Sequence, residues 1–324
     1  MAHHTTDVCI IGAGPAGLYA TAYVGIRGLS AVLIDSLEEP GGQVMALYPE
    51  KQIRDVAGYP TVTGRDLVDA CVEQATAHDP VFLLDQVAEG FEQHDDGTFT
   101  ITTSHDEAVH CRGVIICAGL GRFTPRRLPG ADAYEGKGLV YLVRDLSTMR
   151  DEDLLVVGGG DSAVDWALTF EPIARSVTLI HRREGFRAHE GPLQRLFDSS
   201  VEVLVHTEVA AIHGDGAIEA VEVVDNRTDE HTTRKVTKVL AALGFHANLG
   251  PVGDWPIGLE DRVLPVNRRM ETTVPGVYAA GDITGYDGKL RLVSVGFGEA
   301  VVAANHLAAY LDPSQRVFAG YSSG

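Results

Sequence analysis

The 324-residue sequence lacks several features that would indicate other classes of protein. Its cysteines show no spacing typical of a metal site or a redox-active dithiol, so we expect no metal. No apolar run is long enough to cross a bilayer, and the first predicted strand begins without a basic leader or a hydrophobic signal segment. These absences predict a cytoplasmic protein with no membrane partner. The four cysteines are Cys9, Cys71, Cys111 and Cys117.

Basic residues are few, with 26 Lys and Arg against 45 Asp and Glu, and the formal net charge is −19. Such acidity argues against nucleic acid or an anionic membrane surface as a partner. Local exceptions are two arginine clusters, Arg122, Arg126 and Arg127, and Arg262, Arg268 and Arg269. Each cluster is either part of a positive docking patch or scattered surface charge, and the sequence leaves both interpretations open.

A glycine-rich turn between two apolar runs organises the N-terminal region. The run Val8 to Ile11 leads into Gly12-Ala13-Gly14-Pro15-Ala16-Gly17, and after a helical stretch a second run ends at Asp35. This is the spacing of a dinucleotide-binding βαβ unit, whose glycines make the turn, admit a pyrophosphate and let the helix pack on the strand. The helix N-terminus favours phosphates, and Asp35 is predicted to accept a hydrogen bond from a ribose 2′-hydroxyl.

A second copy of the motif has a different terminal residue. The strand Leu154 to Val157 precedes Gly158-Gly159-Gly160-Asp161-Ser162-Ala163, and His181-Arg182-Arg183 occupies the position that Asp35 has in the first copy. A carboxylate would repel a 2′-phosphate, whereas paired guanidinium groups bind one through charge-assisted hydrogen bonds. The first site therefore suits FAD and the second suits NADPH or NADP⁺. The alternative for the arginines is a solvated basic edge.

Each motif is followed by the same order of elements, which predicts an α/β protein with two Rossmann-type dinucleotide-binding domains. Short alternating runs from Phe82 to His110 and from Val201 to Val239 predict a β-meander in each domain. The second domain is complete near Gly244, so the C-terminal portion is predicted to return to the first. We thus expect a discontinuous FAD-binding domain over residues 1–118 and 250–324 and an NADPH-binding domain over 119–249.

Together with Ala118-Gly119 and Ala280-Gly281-Asp282, these motifs resemble the two-domain flavoprotein disulfide reductases over essentially the whole chain. The size is similar to that of the low-molecular-weight thioredoxin reductases, but no cysteine pair is present, and Tyr141 to Asp145 occupies the corresponding stretch. What remains resembles the thioredoxin-reductase-like ferredoxin–NADP⁺ reductases, with close matches at 47–51, 55–60, 159–167, 181–189 and 296–300.

The resemblance implies how the flavin is covered. Tyr48 is expected to cover one face of the ring, and an aromatic residue of the C-terminal extension the other, with Tyr321 and Ser322 at the matching place. Catalysis would use this stacking and shielding, with no acid–base residue. It also implies that the helix beginning near Gly296 points its N-terminus at the flavin, and that Asp282 binds its ribityl and phosphate region.

The complete prediction assigns residues to both cofactors. For FAD these are Gly12, Gly14, Pro15, Ala16, Gly17, Asp35, Gly42, Gln43, Tyr48, Ala118, Gly119, Asp282, Gly296 and Tyr321. For NADPH they are Gly158, Gly159, Gly160, Asp161, Ser162, Ala163, His181, Arg182, Arg183, Arg187 and Gly244.

Three functions remain open at this stage. The resemblance implies hydride transfer between NADPH and FAD, single-electron transfer to or from a ferredoxin or flavodoxin, and a homodimer. An NADPH-dependent reductase of a low-molecular-weight disulfide or quinone would use the same scaffold and needs no cysteine pair of its own. A flavin-binding sensor without turnover is a further alternative, but it would have no use for the second glycine motif and its arginines.

Overall fold

A computed structural model describes residues 2–318 of the chain. The chain divides into two compact units: unit 1 combines residues 1–123 with 247–324, and unit 2 comprises residues 124–246. The boundaries between the units, at 123/124 and 246/247, lie a few residues from the boundaries predicted from sequence, 118/119 and 249/250. Both observed boundaries fall within short strands, β9 (Arg122–Pro125) and β18 (Phe245–Asn248).

The first segment of unit 1 alternates strands and helices. They are β1 (Ala2–Ile11), α1 (Pro15–Ile26), β2 (Ala31–Ile34), α2 (Gly42–Leu47), β3 (Gln52–Ile53), β4 (Val62–Thr63), α3 (Gly64–Thr76), β5 (Val81–Leu83), β6 (Ala88–Gln93), β7 (Phe99–Thr103) and β8 (Glu107–Ile116). After unit 2 the chain returns with β19 (Leu264–Pro265), β20 (Val277–Ala279), β21 (Thr284–Gly285) and α6 (Val293–Leu311).

The main sheet of unit 1 has a parallel part in the order β5-β2-β1-β8, and β20 pairs in parallel with the C-terminal half of β8. All residues of β2 are buried, as is typical of a parallel strand with both faces covered. Because the strands are parallel, Ile11, Ile34, Ile116 and Ala279 end at the same edge. The loops that follow these strands therefore meet at the edge where ligands bind in such sheets.

Unit 2 contains β10 (Leu139–Val140), β11 (Asp153–Val157), α4 (Asp161–Phe170), β12 (Ser176–His181), α5 (Glu190–Phe197), β13 (Glu202–Val205), β14 (Thr207–His213), β15 (Ala220–Asp225), β16 (Glu230–Lys235) and β17 (Lys238–Ala241). Five of these strands form a parallel sheet in the order β10-β17-β11-β12-β13. The remaining three, β14, β15 and β16, form an antiparallel sheet. The fold is thus α/β with two dinucleotide-binding units, as predicted.

The predicted meanders are wrong at their ends. In unit 1 the sequence pattern breaks at His110, yet β8 continues from Glu107 to Ile116 because it pairs with β1 along its whole length. The run beginning at Phe82 belongs to β5, which pairs in parallel with β2. In unit 2 the first strand of the predicted meander, β13, pairs in parallel with β12. Pairing with a distant strand decides these boundaries, and the local sequence pattern does not contain it.

Within residues 2–318, no helix combines the length and apolar character needed to span a membrane.

Candidate functional site: two dinucleotide-binding turns

In the turn after β1, Gly12 and Gly17 are packed against other parts of the protein, whereas Gly14 is not. Gly12 has φ of +107°, and a Cβ atom there would lie 2.4 Å from the carbonyl oxygen of Cys117. A Cβ on Gly17 would lie 1.8 Å from the carbonyl oxygen of Gly12, so α1 packs on the turn itself. By contrast, a Cβ on Gly14 would meet no atom within 4 Å. The turn therefore leaves space for a group that approaches its outer side.

The N-terminus of α1 faces this open side. Gly14 is its N-cap and provides no side-chain hydrogen bond, and Pro15, which has no N–H, stands in the first helical turn. The remaining first-turn N–H groups have no intrahelical partner and carry the positive end of the helix dipole. The turn thus fits a pyrophosphate, which is what the motif predicts.

Asp35 follows β2 and is bonded to the turn. Its Oδ2 accepts the backbone N–H of Ala13 at 2.5 Å, and its Oδ1 accepts the backbone N–H of Leu37 at 2.8 Å. Burial raises the pKa of this carboxyl, whereas the backbone hydrogen bonds lower it. The carboxylate also has lone pairs beyond the two used here, so a ribose hydroxyl remains an acceptable partner. Sequence reasoning predicted the acid but missed that it supports the turn.

Two further loops pack against the turn. Gly41 N–H donates to the carbonyl of Ala13 at 2.8 Å, and a Cβ on Gly42 would lie 2.9 Å from Cα of Gly14. A Cβ on Gly119, in the loop after β8, would lie 3.3 Å from Nε2 of Gln43. Gly42 and Ala118, both predicted for the FAD site, are therefore neighbours of the turn, and Gln43 and Gly119 are neighbours of each other.

The loop after β20 and the start of α6 complete this edge. A Cβ on Gly281 would lie 3.1 Å from Cβ of Ala16, and a Cβ on Gly296 would lie 3.4 Å from the same atom. Gly296 lies in the first turn of α6, which begins at Val293, slightly before the start predicted from sequence. The predicted residues Ala16, Asp282 and Gly296 therefore belong to one region.

Tyr48, the C-cap of α2, lies in the same region. Burial raises its pKa to about 12, and the neighbouring carboxylates of Asp282 and Asp55 add to the effect. Burial raises the pKa of Asp282 too, while Lys289 and Arg291 lower it. Tyr48 is therefore neutral at physiological pH, and it lies close enough to Asp282 to be influenced by its charge. Its aromatic face could stack on a planar ring.

The turn after β11 in unit 2 repeats the first. A Cβ on Gly158 would lie 2.5 Å from the carbonyl oxygen of Ala242, and a Cβ on Gly159 would lie 2.2 Å from the ring of His181. Ala163 is fully buried, so the small residue in the third glycine position packs inward. Gly160 caps α4 without a side-chain hydrogen bond, which leaves the helix N-terminus available for an anion.

Three arginines surround this second turn. Arg182, Arg183 and Arg187 are exposed, and the backbone N–H of Arg187 donates to the carbonyl of Gly159 at 2.7 Å. Burial lowers the pKa of His181, and the charges of the three arginines lower it further. The neutral ring of His181 thus packs against the turn, and the arginines supply the positive charge of the site.

The other residues predicted for this site also lie at the same edge of unit 2. Oδ1 of Asp161 accepts the backbone N–H of His189 at 2.8 Å and lies 2.7 Å from Nδ1 of its ring. Ser162 is exposed in the first turn of α4, and Gly244 follows β17. Asp161 therefore closes the loop between β12 and α5 onto the glycine turn.

Tyr321 and Ser322, predicted to shield the flavin, lie outside the described residues. Within the described chain, no group of three or more His, Cys, Asp or Glu side chains is arranged to hold a metal ion. All four cysteines are free and buried. The structure also brings together Tyr286, Lys289 and Glu299 beside Gly281, a cluster that sequence reasoning missed. In the sequence, only Glu299, the acidic residue of the motif at 296–300, pointed to this cluster.

The model of the pyridine nucleotide-disulphide oxidoreductase family matches residues 6–305, and the chain belongs to this family. Its curated relatives include the ferredoxin–NADP reductase of Frankia alni, 53% identical over 97% of this chain and 98% of the relative. A ferredoxin–NADP reductase of a Nocardioides species is 49% identical over 98% of this chain and 96% of the relative.

Among solved structures, the thioredoxin reductase of Lactococcus lactis matches with a TM-score of 0.78 and 28% identity. The match covers 94% of this chain and 99% of that protein. The fold is therefore that of a thioredoxin reductase, whereas the relatives with about half of their residues identical carry a different name. This chain has no cysteine pair with the spacing of a redox dithiol.

Proposed function

We propose that the protein is an FAD-dependent ferredoxin–NADP⁺ reductase, which transfers hydride between NADPH and FAD and exchanges single electrons with an iron–sulfur protein or a flavodoxin. The observation that carries the proposal is the pairing of two complete dinucleotide turns with four buried, free cysteines. The scaffold has a turn for each nucleotide, and its buried thiols offer no protein dithiol to relay electrons.

Unit 1 is the FAD-binding part in this proposal. The open side of the turn at Gly14 and the uncapped N-terminus of α1 receive the pyrophosphate, and Asp35 holds the ribose while it braces the turn. Asp282 binds the ribityl and phosphate region, and the neutral ring of Tyr48 lies against the flavin. Bound FAD supplies the chemistry, accepting a hydride and releasing electrons singly, while the protein provides binding, orientation and tuning.

Unit 2 is the NADPH-binding part. The turn at Gly159 and the N-terminus of α4 receive the pyrophosphate, and Arg182 and Arg183 bind the 2′-phosphate, with Arg187 beside them. Because His181 is held neutral, the positive charge of the site comes from guanidinium groups, whose charge does not change over physiological pH. We thus expect selection of NADPH over NADH at neutral pH.

The cysteines support a single-electron acceptor. Cys9 and Cys111 lie in the core of unit 1, and burial raises the pKa of Cys71 to about 11 and that of Cys117 to about 12. All four thiols are buried, so none of them is accessible for thiol–disulfide exchange.

Two further proposals rest on the family resemblance. We propose that the protein is a cytoplasmic homodimer, and that Tyr321 and Ser322 shield the flavin.

Stopped-flow absorbance tests the proposed reaction. The purified yellow holoenzyme is mixed with NADPH or NADH, and then with oxidised ferredoxin or, separately, with a small disulfide. We expect NADPH alone to bleach the flavin rapidly and ferredoxin to restore its colour. Reoxidation by the disulfide but not by ferredoxin would instead identify a low-molecular-weight disulfide reductase.

A further inference from the structure

A buried ion pair lies next to the loop that carries Asp282. Nζ of Lys289 lies 2.5 Å from Oε1 of Glu299, and the two side chains are only 9% and 5% exposed. Desolvation of two charges opposes such a pair, so its presence is weak evidence for a role in stability. Neither residue belongs to the glycine turns or to the arginine cluster, and the pair therefore needs another explanation.

The pair holds both peptide groups that flank Gly281. Oε2 of Glu299 accepts the N–H of Gly281 at 2.8 Å, and Nζ of Lys289 donates to its carbonyl oxygen at 3.0 Å. That carbonyl belongs to the peptide bond leading into Asp282. The ion pair thus fixes the backbone from which the side chain of Asp282 departs.

Further groups hold the same cluster together. Tyr286 donates its hydroxyl to Oε1 of Glu299 at 2.5 Å, and the hydroxyl of Thr284 donates to the carbonyl oxygen of Gly281 at 2.9 Å. When Lys289 is replaced by a neutral side chain, the backbone N–H of Gly281 and the hydroxyl of Tyr286 still hold the Glu299 side chain in place.

The two charges act on Asp282 in opposite directions. Lys289 lowers the pKa of Asp282, whereas Glu299 raises it. Both groups are thus close enough to influence the charge at Asp282, as is Arg291, which also lowers its pKa. Removing the charge of Lys289 or of Glu299 would leave Asp282 and its surroundings under the influence of the remaining charge.

We propose that Lys289 and Glu299 are positioning residues for the flavin, which fix the loop of Asp282 and, as a neutral pair, keep a net charge away from the ring. This role rests on the proposed function, since Asp282 is the residue that would bind the ribityl and phosphate region. It makes Lys289 and Glu299 determinants of FAD affinity and of the flavin reduction potential.

The variants Lys289→Met, Glu299→Gln and the double variant test this role. An unpaired cation stabilises the reduced, more negative flavin, so we expect Glu299→Gln to raise its midpoint potential. Lys289→Met leaves a carboxylate and should lower the potential, while the double variant should return close to wild type. Each single variant should also weaken FAD binding by about tenfold, measured by flavin fluorescence on titration of the apoprotein.

Matched controls separate charge from packing. Tyr286→Phe removes a hydrogen bond to Glu299 but no charge, so it should weaken FAD binding and leave the potential unchanged. Arg112→Met removes one partner of the exposed 3.0 Å Arg112–Asp7 ion pair, which joins the middle of β1 to β8, and should change neither quantity. If a single variant does not fold, the double variant and Tyr286→Phe still decide, since a shifted potential in either contradicts the role of charge.

Potentials that move in the same direction in both single variants, or in neither, would overturn the proposal, provided that the variants bind FAD. A wild-type protein that binds no FAD would instead contradict the proposed function. The two failures are therefore distinguishable in the same set of measurements.

Discussion

The backbone N–H of Ala13 donates to Oδ2 of Asp35 across 2.5 Å, so the residue that ends the first βαβ unit also braces the turn that begins it. The carboxylate accepts a second backbone N–H from Leu37. The nucleotide site and the local fold thus depend on the same side chain, and a change at Asp35 should affect both.

Asp35→Asn should lower both stability and FAD content. An amide offers one oxygen, so one of the two N–H groups faces an NH₂ group and loses its partner, at a cost of about 1–3 kcal/mol in unfolding free energy. Thermal denaturation and the ratio of flavin to protein absorbance measure the two effects. Glu38→Gln, at an exposed acid nearby, is the control and should behave as wild type.

Arg182→Ala with Arg183→Ala should remove the preference for the phosphorylated nucleotide. Each charge-assisted hydrogen bond contributes about 1.5–3 kcal/mol, so KM for NADPH should rise by about tenfold or more, while KM for NADH stays unchanged. Steady-state kinetics with both nucleotides measure the change. Arg195→Ala removes an exposed arginine of α5 and should have no effect; an equal loss with NADH would refute the proposed contact with the 2′-phosphate.

His181 should make the protein less stable in mild acid. Its folded-state pKa lies below the ordinary value of 6.5, so the unfolded chain takes up the proton first and stability is lost as the pH falls below that value. The melting temperature should therefore fall less in His181→Gln than in wild type between about pH 7.5 and pH 5.5. Parallel curves for the two proteins would contradict the depressed pKa.

The four thiols should be inert in the native protein. Cys9, Cys71, Cys111 and Cys117 are buried, so a chromogenic disulfide reagent should label none of them in the native protein and all four in guanidinium. Alkylating reagents should accordingly leave the electron-transfer rate unchanged. Rapid native labelling accompanied by inactivation would show that a thiol takes part in the reaction and would contradict the proposal.

Arg27→Ala should loosen the segment that follows α6. The guanidinium of Arg27 donates to the carbonyl oxygens of Arg316 and Val317 at 2.9 Å each, and to the side chains of Gln315 and Asn305. Without these bonds, trypsin should cleave after Arg316 several-fold faster, which mass spectrometry detects. Arg175→Ala, which removes two guanidinium hydrogen bonds in unit 2, should leave that cleavage unchanged.

The glycine turns and their terminal residues were predictable because their chemistry is local. The distance along the chain from Gly12 to Asp35, like that from Gly158 to His181, sets a strand, a turn, a helix and a second strand in order. The sequence also indicated which nucleotide each turn suits, since an acid and a pair of arginines act oppositely on a 2′-phosphate. The structure brings the predicted residues of each turn to one sheet edge.

Contacts that depend on packing were not predictable. Lys289 resembles any surface lysine in the sequence, and only the fold shows that α6 places Glu299 beside it. The guanidinium of Arg27 reaches a segment almost the whole chain away, and no local pattern indicates such a partner. The length of β8 likewise follows from its pairing with β1 and not from its own alternation.

The parallel pairing of β20 with β8 has a consequence for synthesis on the ribosome. Residues 124–246 emerge as one continuous stretch and can fold while the sheet of unit 1 still lacks its last strand. Until Val277–Ala279 has emerged, the hydrogen-bonding groups of Val114 to Ile116 on that side remain unpaired, and an open strand edge of this kind invites association with other nascent chains. Truncation before β20 is therefore expected to yield a chain that aggregates.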